Sequence, residues 1–227
     1  MDINTDHLAV AETDRFGNLI YKETIPLNLF GKTKEQSLAL IGDASAKVIQ
    51  HAQQTSKPVT VENLDFQKKK QSLREKSSAS QARRLSSFAY QAILTHLKSR
   101  GRSKQVEVYQ VNPAFTSVIG RVKFAKRYGL SIHHAAALCI GRRFLGFSEK
   151  VPRHLDKIPD GKNGHVVLTL PVRNRDQHVW TSWRKINQKL SVALAAHFRT
   201  QKRSSSPFEN GFCDKTTTRS CRRDSNT

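Results

Sequence analysis

The chain has 227 residues, with 39 Lys/Arg against 18 Asp/Glu and a formal net charge of +21. That length supports one core with a smaller appendage. The longest apolar run, Ala135 to Ile140, is too short to cross a bilayer. Cys139, Cys213 and Cys221 are odd in number and form no Cys-x-x-Cys pair, against a disulfide framework or a zinc ribbon.

The charge is unevenly placed. Residues 1–66 hold six Lys/Arg and nine Asp/Glu, while residues 67–227 hold 33 and nine. An acidic start beside a strongly basic remainder suits a carboxylate site next to a polyanion-binding surface, with a generally basic protein as the plainer alternative. No Lys/Arg-faced amphipathic stretch points to a membrane surface. Asp2 and Asp6 stand where a secretory leader would be basic, so the expectation is a cytoplasmic, nucleoid-associated protein.

In chain order, Asp2 to Thr13 reads as a strand, with Leu8, Ala9, Val10 and Ala11 as its apolar run. Asp14 to Asn18 is a turn, and Leu19 to Leu29 returns as the second arm of a hairpin. Asp2-Ile3-Asn4-Thr5-Asp6 opens like a calcium loop but fails as one: His7 takes the glycine position and Thr13 the twelfth. Lys34 to Gln54 has helical apolar spacing, and Thr33 with Gln36 forms a capping box. Pro58-Val59-Thr60-Val61-Glu62 is a short β-branched strand ending on a carboxylate.

Lys68 to Ser80 is a basic loop, and a helix runs from about Gln81 to Arg100. Val106 to Val111 alternates and closes on Asn112-Pro113, so residues 58–111 form a βαβ unit with parallel strands. Val118 to Tyr128 is a basic helix stopped by Gly129, and His133 to Phe144 is a compact apolar one. Beyond Gly146, His165 to Val172 reads as a strand and Val179 to Phe198 as a helix. Residues 201–227 form a basic tail without periodicity, expected to be disordered.

Hairpin, helix, strand with Glu62, helix, strand and terminal helix is the element order of an RNase H-like sheet. The fold class is therefore α/β: a mixed sheet flanked by helices over 1–147, a strand–helix extension over 148–200, and the tail. In that order Asp2 and Glu62 face one crevice at the carboxyl end of the sheet. Two carboxylates there suit Mg²⁺ or Mn²⁺, which prefer hard oxygen ligands and activate water against a phosphodiester. The plainer reading of Glu62 alone is a solvated strand-end residue.

Four motifs carry a resemblance: Asp2-Ile3-Asn4-x-Asp6, Val61-Glu62-Asn63-Leu64-Asp65-Phe66, Val111-Asn112-Pro113-Ala114-Phe115-Thr116-Ser117 and His133-x-Ala-Ala-Ala. Together they resemble the RuvC-like domain of the OrfB/TnpB proteins of insertion-sequence transposons, relatives of the type V CRISPR effector nucleases. The resemblance covers roughly residues 1 to 147. It implies that Asp2 and Glu62 are metal ligands, and that the function is RNA-guided DNA cleavage in mobile elements, with DNA and a guide RNA as partners. It implies neither a membrane nor a small-molecule substrate.

Three features depart from the family. No Cys-x-x-Cys pair follows the Thr-Ser, and Ile119-Gly120-Arg121 carries no cysteine, so no zinc is expected, as in the TnpB-related branch that lacks the ribbon. The third acid is replaced by His133, which acts as ligand or base, or is merely a polar residue of a helix start. Met1 stands directly before Asp2, so the first strand lacks its first half and the chain reads as an N-terminally shortened copy.

The candidate nucleic-acid contacts are Lys68, Lys69, Lys70, Thr116, Ser117, Arg121, Lys123, Lys126 and Arg127, joined by Arg83, Arg84, Arg142 and Arg143. Thr116 and Ser117 have helix capping as the alternative. Asp65 reads as a turn cap and Asp6 as an exposed residue. Trp180 and Trp183 read as core rather than base-stacking residues.

Overall fold

The computed structural model describes residues 1–4, 6–64, 77–152, 157–162, 164–169 and 176–204; within these, the side chains of 77–87 and 201–204 are not described. The fold is mixed α/β with small sheets. β1 (Asp2–Ile3) lies antiparallel to β2 (His7–Thr13), with Asp2 opposite Ala9, and β2 pairs antiparallel with β3 (Leu19–Pro26). β4 (Val59–Glu62) and β5 (Val108–Val111) form a parallel pair, as the βαβ reading expects. The Met1 amine donates to the Thr60 carbonyl at 2.8 Å, which sets β1 beside β4. The strands form two sheets, β1-β2-β3 and β4-β5, and β1 and β4 meet at that bond.

The single strand expected over Asp2–Thr13 is broken. Asn4 N–H donates to the His7 carbonyl at 3.0 Å, so the chain reverses and β1 folds back on β2. Asn4 and Asp6 are turn-forming residues, and they override the apolar alternation around them. The next turn holds as expected, with Gly17 at φ +75° and the Asp14 carboxylate accepting from the Phe16 and Asn18 amides.

α1 (Lys34–Gln54) starts at the Thr33 capping box. α2 (Ser77–Ser103) returns beside it. Alternation in the strands divides their side chains between two cores. Leu8, Val59 and Val61 enter a first core with Ile41, Ile49, Ile93 and Leu97 of α1 and α2. Ala11 instead packs against the second core, which includes Ala135, Leu138 and Cys139.

The expected basic helix begins two residues early and is not uniform. α3 (Thr116–Ile119) runs into a π-helical segment (Gly120–Ala125) and then α4 (Lys126–Tyr128). Gly120 is required there: a Cβ on it would meet the Ala135 carbonyl at 2.5 Å. α5 (Ile132–Phe144) is capped by Ser131, whose side chain accepts from His134 N–H. Its alanines let this helix approach the sheet and the π-helical segment closely.

The C-terminal extension completes the second core. β6 (Ile158–Pro159) and β7 (His165–Val166) pair antiparallel, a shorter ladder than the strand expected over His165–Val172. α6 (Val179–Ser204) inserts Trp183, Ile186 and Leu190 among Ile119, Phe124 and Leu138. Described residues of the 148–200 extension, Ile158, Val166, Leu168 and Trp183 among them, therefore share a core with residues 119–139. The disordered tail expected over 201–227 does not hold at 201–204, where α6 still continues, and residues 205–227 lie outside the described residues. No helix among the described residues is long and apolar enough to cross a membrane.

Candidate functional site

The ends of β1 and β4 bring the two predicted carboxylates to one place. Asp2 opens β1 and Glu62 closes β4. His133, in the first turn of α5, reaches Asp2 Oδ2 with Nδ1 at 3.2 Å. Asn4 Nδ2 donates to the same oxygen at 3.1 Å. The ring of His7 meets that of His133 edge-on, centroids 4.9 Å apart, and His7 Nδ1 bonds Asp6 Oδ1 at 2.7 Å. That bond holds the Asp6 carboxyl below the usual range.

Glu62 is more enclosed. Its carboxylate accepts from the Thr116 hydroxyl, and its backbone carbonyl accepts from the Tyr90 hydroxyl. Burial pushes the Glu62 carboxyl above its ordinary pKa; the Thr116 bond opposes this, Asp2 adds to it, and the Met1 amine and Arg143 oppose it. The Met1 ammonium is itself buried, which lowers its pKa from 8.0 to about 6 against the attraction of Asp2 and Glu62. Two carboxylates beside an amine that burial favours in its neutral form, with Arg143 acting on Glu62, make a polar pocket in which charge is only partly compensated.

A hard divalent ion needs oxygen ligands that are not already engaged. Among the described residues, no hydrogen bond engages Asp2 Oδ1 or Glu62 Oε2. The pair thus offers a donor set of the right chemistry. No group of three His, Cys, Asp or Glu among the described residues stands close enough to hold an ion together. The site is a carboxylate pair with His133 hydrogen-bonded to one member.

The predicted nucleic-acid residues are placed unevenly. Ser117, Lys126 and Arg127 are exposed. Thr116 is buried, with its hydroxyl on Glu62 and on the Pro113 carbonyl; Phe115 occupies the capping position, so Thr116 does not cap. Lys123 pairs with Glu149, as does Arg142, while Arg143 donates to the Asn112 carbonyl. Arg121 is partly buried, and desolvation lowers its pKa despite Asp160. Asp65, Lys68, Lys69 and Lys70 lie outside the described residues, as do the side chains of Arg83 and Arg84. Trp183 is fully buried, as expected of a core residue, with its indole N–H on the Glu149 carbonyl at 2.7 Å. Trp180 is partly exposed, edge-on to Phe115 at 6.4 Å.

The sequence reading missed His7 and Tyr90 as parts of the site, and named Thr116 as a nucleic-acid contact or helix cap rather than as a partner of Glu62. The Asn4–Asp6 turn signal, once read, folds His7 back beside Asn4, where its ring meets that of His133. Nothing in the local pattern marks Tyr90 or ties Thr116 to Glu62, because both reach Glu62 across the fold. His134 is structural: it bonds Ser131 at 2.8 Å, the Glu23 carbonyl at 3.0 Å and Thr24 at 3.2 Å, tying α5 to β3.

The molecule is thus a mixed α/β protein with a strand-end carboxylate pair. No family model matches the chain, and neither a curated protein nor a solved structure matches it.

Proposed function

We propose that the chain is an RNase H-like, RuvC-type nucleic-acid protein of a transposon, related to TnpB, that cleaves DNA phosphodiesters with Mg²⁺ or Mn²⁺. The observation that carries the reading is the convergence of Asp2 and Glu62 at neighbouring strand ends, with His133 on Asp2. The element order and the resemblance of residues 1–147 support the same class. The ion would be held by Asp2 and Glu62 and would supply Lewis-acid stabilisation of the phosphate. His133 orients the Asp2 carboxylate and, when neutral, can take a proton from water. Thr116 and Tyr90 fix Glu62 through its side chain and backbone. The basic remainder of the chain, Lys126 and Arg127 included, supplies phosphate contacts. A guide RNA belongs to the reading through the family resemblance alone.

The test is nicking of supercoiled and single-stranded DNA in Mg²⁺ by the full chain. Wild type nicks, and Glu62→Gln falls to background. Equal activity in both removes the catalytic assignment.

A second reading has its own observation: among the described residues no group of three His, Cys, Asp or Glu stands close enough to hold an ion. Under it the chain binds DNA or RNA without cleaving. Binding is then salt-sensitive and survives Asp2→Asn combined with Glu62→Gln.

A further inference from the structure

α6 runs from Val179 to Ser204 with six Lys/Arg and without an acidic residue. Its apolar side faces inward, with Trp183, Ile186 and Leu190 buried in the second core. Its later turns are fastened by His197 on Asp160 at 3.1 Å and by Lys162 over the Phe198 ring at 5.2 Å. At about 3.6 residues per turn, the remaining positions form one outward face. Gln188, Val192 and Ala195 run down the middle of that face, all exposed, Val192 at 71%. Arg184 stands on one flank of the stripe and Lys189 on the other, with Lys185 and Arg199 towards its two ends; all four are exposed. Among the described residues no ion pair engages any of the four. The Ser191 and Thr200 hydroxyls donate back to the Asn187 and Ala196 carbonyls at 2.8 and 3.1 Å, so the face stays smooth beside the stripe.

This pattern fits one polyanion better than others. A membrane surface takes a helix through its apolar side, and that of α6 is buried. A single strand binds by stacking, and the exposed residues from Arg184 to Thr200 include no aromatic ring. The major groove of A-form RNA is too narrow to be read. That of B-DNA is about 12 Å wide, the diameter of a helix with its side chains. In such a groove a neutral stripe reaches the base edges while cations on both flanks meet the phosphates of the two walls.

We infer that α6 is a groove-reading helix whose outward face docks in the major groove of duplex DNA. Arg184 and Lys189 hold phosphates on either side, and Lys185 and Arg199 add charge at the ends. Gln188 presents its amide to a base edge, with adenine as the matching base, and Val192 and Ala195 meet thymine methyl groups. The inference rests on the nucleic-acid part of the function proposed above. It uses none of Asp2, Glu62 or His133, so it is tested without metal and fails separately from the nicking result.

The test is anisotropy of the full chain, in EDTA, with a fluorescent DNA duplex of about two helical turns. Wild type binds saturably and prefers A·T-rich to G·C-rich duplexes. A duplex carrying glucosylated hydroxymethylcytosine, which fills the major groove and leaves every phosphate in place, binds about tenfold more weakly. Arg184→Ala combined with Lys189→Ala lowers the slope of log K against log salt by about two, one for each lost phosphate contact. Gln188→Ala keeps that slope and loses the A·T preference. All three positions are exposed, so the variants keep the fold. Equal binding of plain and glucosylated duplexes overturns the inference, as does an unchanged slope in the double variant or an A·T preference that survives Gln188→Ala. Tighter binding of duplex RNA, or of phosphatidylserine vesicles, overturns it in favour of that partner. Absence of DNA binding by wild type overturns it outright.

Discussion

Glu62 and Glu149 are both enclosed carboxylates, and they are compensated differently. Glu149 lies in the segment after α5, with its side chain 5% exposed, and is held by Lys123 and Arg142. Trp183 donates to its backbone carbonyl, and the Arg142 guanidinium stacks over Phe124 and Phe147 at 5.1 and 4.4 Å. Glu62 has one hydroxyl donor, a neighbouring carboxylate, and cations that act on it at a distance. Glu149 is a clamp that joins the π-helical segment, α5 and α6. Glu62 is a carboxylate held in place with its charge only partly met. A protein that keeps a buried charge under-compensated spends stability there, and such places are where function concentrates.

The contrast breaks most visibly in unfolding experiments on the two glutamates. Glu149→Gln leaves Lys123 and Arg142 without their anion and costs about 3–5 kcal/mol in urea unfolding at neutral pH. Glu62→Gln, by the same measurement, costs nothing or stabilises, because a carboxyl with a raised pKa is destabilising once ionised. A large loss in both variants would make Glu62 a structural clamp like Glu149.

A smaller effect sharpens the same contrast through pH. The Met1 amine has its pKa lowered from 8.0 to about 6. Between those values the unfolded chain binds a proton that the folded chain has released, so stability rises with pH across that window. A shift of this size corresponds to about 3 kcal/mol, fully gained above pH 8 and absent below pH 6. Acetylating the Met1 nitrogen removes this rise, measured as the difference in unfolding free energy between pH 6 and pH 8. An unchanged slope would mean that the ammonium is hydrated rather than buried beside the carboxylates.

Much of the scaffold was legible in the sequence because it rests on local signals. The Thr33 capping box, the spacing of Ile41, Val48 and Ala52, and the strand–helix–strand order across 58–111 are each readable within a few turns of chain. Asp2, Glu62 and His133 were expected as a set from element order and motif resemblance, and of that set the structure shows the His133–Asp2 contact. What was not legible depends on contacts between distant residues. The reversal at Asn4–Asp6 is local, but a run of four apolar residues masks it. Glu149 sits in a loop whose sequence says nothing of Lys123 or Arg142, and the pairing exists only because the π-helical segment and α5 cross closely at Gly120. Thr116 likewise faces inward through the left-handed Phe115 that precedes it, a backbone choice that its own residue type does not announce.

The most direct measurement is Mn²⁺ binding to the full chain, followed by electron paramagnetic resonance, for wild type, Asp2→Asn and Glu62→Gln. The carboxylate-pair account predicts a saturable site in wild type that is lost in both variants. Equal binding in all three proteins, or none in wild type, contradicts it.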